Sequence, residues 1–230
     1  MNINTSSTFD PETVLFGDGR TGKEVTMIDV YYKEPRDKLY IQFPIMKVPF
    51  PSRAYNGKYN FCISFEDHSD DETNINGIKE MYAKLQTLEQ RILASAMEHK
   101  KTWTNNENCT DEQVTQMFRP FLVRTSQAYA PYITIKIGYP YKGNDPTTSF
   151  YQTTGNNTDL VERPNVPSLL QKGERVRVIA VCKGIWCNSS QIGITWQAES
   201  IQLYPNVPRS LSEKAGIKIA QSPDAEFEFD

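Results

Sequence analysis

Histidine is almost absent from this chain, with His68 and His99 alone among 230 residues. So little imidazole leaves few candidates for acid–base work near neutral pH, and no serine sits in a nucleophile-elbow pattern. Cysteine is scarce as well: Cys62, Cys109, Cys182 and Cys187. Cys182 and Cys187 bracket Lys-Gly-Ile-Trp rather than two residues, and only His68 and His99 could join them, so reduced thiols are expected instead of a metal or a disulfide framework. No basic stretch followed by an apolar one opens the chain, and no window approaches the ~18 uninterrupted apolar residues of a membrane span. The expected protein is therefore soluble and intracellular, with no membrane partner, and the Asn-x-Ser/Thr sequons at Asn4, Asn108, Asn156 and Asn188 are read as chance.

What is present suffices for one domain with insertions. Apolar residues make up 38%, charged residues 23% and aromatics 11%, with a mean hydropathy of −0.56. The formal net charge of −3 conceals segregation. Residues 119–198 hold nine basic against four acidic side chains, and residues 20–58 hold eight against four. Residues 66–112 carry eleven acids and five bases, while Asp224, Glu226, Glu228 and Asp230 crowd the last seven positions. Two basic stretches keep a polyanionic partner in view.

Residues 1–23 read as a polar, Gly-rich N-terminal segment. Residues 24–32 and 38–43 read as β-branched and aromatic strands joined as a hairpin, and residues 59–65 alternate as a half-buried strand. Apolar residues at Ile75, Ile78, Met81, Leu85, Leu88, Ile92 and Ala96 predict an amphipathic helix over 74–103. Thr110 with Gln113 forms a capping box for a second, short helix that Pro120 stops, so residues 74–118 are a helical insertion. Strands resume at 121–124 and 132–137, a polar loop that need not be ordered follows, and 175–182 with 192–204 form a long last hairpin around an Asn-Ser-Ser turn. The fold class is mostly β with a helical insertion. The architecture expected is the OB-fold, a five-stranded, partly open Greek-key barrel over residues 24–205, with a β-sandwich as the alternative.

Two motifs suggest chemistry and fail on inspection. Gly17-Asp-Gly-Arg-Thr-Gly22-Lys23 fits seven places of a phosphate-binding loop, but the eighth is Glu24, which lacks the hydroxyl for magnesium, and a strand rather than a helix follows. The acidic run at residues 66–72 includes His68, yet it precedes a helix N-terminus, where negative charge is favourable for ordinary reasons. No enzymatic activity, cofactor or metal is expected.

The remaining pattern is aromatics interleaved with cations: Lys47, Arg53, Tyr55, Lys58 and Tyr59; then Arg124, Tyr129, Tyr132, Lys136, Tyr141 and Lys142; then Lys183 and Trp186. Cations meet phosphates and flat rings stack on unpaired bases, so these residues form the candidate single-strand site. Each aromatic is equally an ordinary strand residue; Trp196, mid-strand, is expected in the core. The C-terminal tail, residues 206–230, ends in Asp224, Glu226, Phe227, Glu228, Phe229 and Asp230, an acidic and aromatic pattern suited to docking on a partner.

The segments Leu170-Gln-Lys-Gly-Glu-Arg-Val-Arg-Val-Ile-Ala-Val-Cys-Lys-Gly-Ile-Trp186 and Gln191-Ile-Gly-Ile-Thr-Trp-Gln-Ala-Glu-Ser-Ile-Gln-Leu203 resemble the final hairpin of the single-stranded DNA-binding proteins of large nucleocytoplasmic DNA viruses. The chain is similar, more distantly, to the replication single-stranded DNA-binding proteins of short-tailed phages, which share its length, inserted helix and acidic tail. The resemblance covers residues 165–204, more loosely 59–137, and leaves out the N-terminal segment. It implies sequence-nonspecific binding of single-stranded DNA in viral DNA replication, recombination or repair. It also implies recruitment of a polymerase, helicase or primase by the tail, a hairpin bearing Lys183 and Trp186 turned to DNA, and residence in the host cytoplasm, a viral replication site or the nucleus. Homodimerisation stays open. The competing class is a viral structural or scaffold protein whose aromatic β surface meets another protein.

Overall fold

The computed structural model describes residues 2–66, 71–124 and 129–205. Strands β1 (Ile3–Asn4), β2 (Val14–Thr21), β3 (Thr26–Tyr32), β4 (Tyr40–Gln42), β5 (Met46–Lys47), β6 (Arg53–Tyr55) and β7 (Lys58–Ser64) precede the helices. These are α1 (Glu72–Glu98), α2 (Lys100–Thr104) and α3 (Asp111–Met117). Then come β8 (Leu122–Val123), β9 (Tyr132–Ile137), β10 (Ser149–Thr154), β11 (Asn157–Leu160), α4 (Val166–Leu169), β12 (Arg175–Cys187) and β13 (Ile192–Tyr204).

Five strands close a ring in the order β12, β5, β7, β9, β13 and back to β12. Every neighbouring pair is antiparallel except β9 with β13. This is the strand order of an OB barrel, and the helices enter between its second and third strands. Alternation sets the interior: Phe61 and Ile63 of β7, Ile133, Ile135 and Ile137 of β9, Val176 and Val178 of β12, and Trp196 and Ala198 of β13 are all buried. Trp196 is 2% exposed and packs beside Phe121, with ring centroids 6.1 Å apart.

The helix α1 stripe of Ile78, Met81, Leu85, Leu88, Ile92 and Ala96 is buried as the periodicity requires, and Asp71 caps its start by accepting from the Thr73 amide. The helix expected to run to 103 breaks at His99, and α2 ends where Asn105 turns left-handed at φ 52°. Both reciprocal bonds of the Thr110/Gln113 capping box are present. Among the described residues no helix is long and apolar enough to cross a membrane.

Three expectations need correction. The Gly-rich segment at 14–21 is strand β2, paired with β3 through a bulge between Phe16 and Gly19, so the phosphate-loop-like motif lies on a strand and its turn. The hairpin expected between 24–32 and 38–43 reduces to one bridge, Tyr31 to Lys38; β3 instead pairs with β2 and β12, and β4 with β1 and β12. The polar loop after β9 contains the β10–β11 hairpin, which extends the sheet by a parallel pairing of β10 with β13.

Candidate nucleic-acid interface

Because directly paired residues on neighbouring strands face the same way, the register defines the outer surface of the barrel. One row runs Arg53, Asn60, Lys136 and Gln197 across β6, β7, β9 and β13 and ends at Val181 of β12, which is buried. The next outward positions on β7 and β9 are Cys62 with Thr134, then Ser64 with Tyr132. Strands β6, β7 and β9 contain Arg53, Lys58 and Lys136 and not one carboxylate. None of these three cations is in an ion pair with another described residue.

Aromatic rings bound the face at both ends. At one end Tyr132 meets Phe50 edge-on at 5.4 Å, and Tyr129, 63% exposed, lies 6.5 Å from the same Phe50 ring. Burial raises the Tyr132 phenol pKa, a nearby Cys62 adds to it, and the Arg53 guanidinium opposes both, so Tyr132 keeps its proton at neutral pH beside a fixed cation. At the other end Tyr55, 75% exposed, sits opposite Lys58 across the Asn56–Gly57 turn. The Tyr139 phenol lies against the Tyr59 backbone, bringing the loop that bears fully exposed Tyr141 (97%) and Lys142 to this same end. Between the ends, Cys62 Sγ is 3.5 Å from the Thr134 hydroxyl, and burial raises its thiol pKa.

The structure thus gathers Lys47, Arg53, Tyr55, Lys58, Tyr129, Tyr132, Lys136, Tyr141 and Lys142 along one surface, Lys47 joining by its pairing with Ser64. Four predicted site residues fall outside it. Arg124 donates from both terminal nitrogens to Glu89 Oε2 at 3.1 Å and from Nε to the Tyr82 hydroxyl, so its charge is matched by a nearly buried carboxylate. Tyr59 has the inward parity of Phe61 and packs on the core. Lys183 and Trp186 stand on the far flank, on β12, where Trp186 pairs with Met27 of β3 and Gly193 of β13. Sequence reading missed Phe50, Asn60, Thr134 and Gln197. Phe50 carried a signal, an aromatic between Lys47 and Arg53, but the polar three became visible only through the register.

The tail residues Asp224, Glu226, Phe227, Glu228, Phe229 and Asp230 lie outside the described residues, as does His68 of the acidic run. Among the described residues no three His, Cys, Asp or Glu side chains converge as a metal site. Burial pushes the Cys182 thiol up to about 12 and the Cys187 thiol up to about 11, holding both protonated and poorly suited to ligate.

Neither family models nor curated proteins match the chain. Among solved structures it is similar to a C-terminally truncated single-stranded DNA-binding protein from bacteriophage Enc34, at 13% identity and a TM-score of 0.43 over 84% of this chain and 96% of that one. The untruncated Enc34 protein matches at 12% identity and a TM-score of 0.42, over 94% and 96% of the respective chains. A third similar structure is gp2.5, a single-stranded DNA-binding protein encoded by bacteriophage T7, at 10% identity and a TM-score of 0.41, over 82% of this chain and 99% of that one. These neighbours are phage proteins, and the likeness to proteins of large nucleocytoplasmic DNA viruses stays with the hairpin sequence that suggested it.

Proposed function

We propose that this protein binds single-stranded DNA without sequence preference and acts by binding rather than by catalysis. One observation carries the reading: the outer face of β6, β7 and β9 presents Arg53, Lys58 and Lys136 with no carboxylate, between aromatic groups at either end. Cations on this face neutralise backbone phosphates and release counterions, while Tyr132, Tyr129, Tyr55 and Tyr141 offer rings to unpaired bases. Every base has a π-face, so stacking confers affinity without selecting sequence. The biological setting proposed is replication, recombination or repair of a viral genome, with the acidic and aromatic tail at 222–230 docking a replication protein; the hairpin sequence at 165–204 and the tail composition support this setting.

The test is fluorescence anisotropy with labelled oligothymidylate at several salt concentrations. Log affinity is expected to fall linearly with log salt, by about 0.7 for each phosphate neutralised. Binding that is absent at low salt, or independent of salt, overturns the proposal.

A further inference from the structure

Outside the barrel face, β3 and β12 diverge to leave a pocket of about 250 Å³ lined by Arg20, Asp29, Tyr31, Arg36, Lys38 and Lys183. Asp29 is already satisfied: its carboxylate accepts from Arg20 at 2.7 Å and from the Tyr31 hydroxyl at 3.2 Å. Arg36, Lys38 and Lys183 have no carboxylate partner among the described residues. Three like charges around one concavity repel one another unless an anion enters.

Two backbone features hold the cations there. The register slips between Cys182 and Gly184, a bulge that turns Lys183 out of the ladder. Gly184 makes the bulge possible, at φ +119°, where an added Cβ would lie 2.7 Å from the Ile28 carbonyl oxygen. Across the pocket, Arg36 adopts φ +81°, an unfavourable conformation for a residue with a side chain. Strain of this kind recurs where a side chain must be aimed. The row from Arg53 through Lys136 and Gln197 ends at Val181, which is buried and paired with Tyr40 of β4, two residues before exposed Lys183.

We propose that this pocket binds a backbone phosphate of the single strand after it has crossed the barrel face, with Arg36, Lys38 and Lys183 as its contacts. The inference rests on the single-strand reading and extends it to a second site, built partly by the N-terminal segment. A strand too short to leave the barrel face does not reach the pocket, so chain length separates the two sites.

The experiment compares the full-length protein with the Arg36→Gln/Lys38→Gln and Lys183→Gln variants on oligothymidylates from about 4 to about 30 nucleotides, bracketing the roughly 4–16 nucleotides an OB fold covers. On long oligonucleotides each variant should lose up to about 0.7 from the salt slope, the share of the one phosphate the pocket holds, with unchanged binding of the shortest ligand that the wild type retains. Unchanged slopes at every length overturn the pocket while leaving the barrel reading intact. Equal losses at every length overturn its assignment as a separate, later site. Failure of the wild-type protein to bind any oligonucleotide overturns the single-strand reading itself, and this inference with it. Inorganic phosphate, titrated at constant ionic strength, distinguishes the source: phosphate binding that depends on Arg36 and Lys38, with oligonucleotide slopes unaltered, shows a free-anion site and refutes the backbone assignment.

Discussion

Arg124→Ala is expected to unsettle the fold and leave DNA binding nearly untouched, contrary to what the sequence pattern suggests. Glu89 projects from α1 with its side chain only 10% exposed, accepting from the Leu122 amide at 3.0 Å and from two Arg124 nitrogens at 3.1 Å. Removing the guanidinium leaves a nearly buried carboxylate with a single backbone donor. Breaking a fully buried pair costs about 3–5 kcal/mol. The Arg124 side chain is 41% exposed, so water re-enters and reduces the cost to roughly 2 kcal/mol. For a chain of this size that is a fall in Tm of about 4–8 °C. The assay is a thermal melt beside an oligonucleotide titration, with Arg124→Ala/Glu89→Gln as a control. The double variant should recover most of the loss, because a neutral amide still accepts from Leu122 without stranding a charge. An unchanged Tm together with a salt slope lowered by about 0.7 would refute the structural role and return Arg124 to the DNA face.

Lys136→Ala should do the opposite, lowering the salt slope by about 0.7 at unaltered Tm. Tyr132→Ala should cost about 1–3 kcal/mol of binding, read as a 5-fold to 150-fold rise in Kd by anisotropy, if its ring holds a base. Gly193→Ala places a Cβ 2.5 Å from the Trp186 ring, so a loss of about 1–3 kcal/mol in a urea titration and a shifted tryptophan emission are expected; a native-like variant would show that Trp186 does not rest on Gly193. Thiol alkylation should mark half-buried Cys62 before the buried Cys109, Cys182 and Cys187. Its raised pKa lowers the thiolate fraction at neutral pH, so the rate should still be climbing with pH at and beyond an ordinary thiol's pKa, and bound oligothymidylate should slow it. Equal labelling with and without DNA would place the strand elsewhere.

Local periodicity was enough to locate β7, β9, the α1 stripe, the α3 capping box and the burial of Trp196, because a period of 2 or 3.6 and a cap are properties of neighbouring residues. Cations and rings in the segments 47–59 and 129–142 were legible for the same reason. The tertiary structure alone decided partnership. Strand β2 has the composition of a loop and becomes a strand because β3 offers it a ladder; the β10–β11 hairpin exists because β13 has a free edge for it. The register across β6, β7 and β9 turns Tyr59 inward and Asn60 outward, a parity that slips with a one-residue shift. Arg124 reads as a DNA contact until a carboxylate 35 positions earlier in sequence is folded against it. Charge and aromaticity are properties of residues, but whether a cation is free and a ring exposed depends on what the distant chain brings beside it.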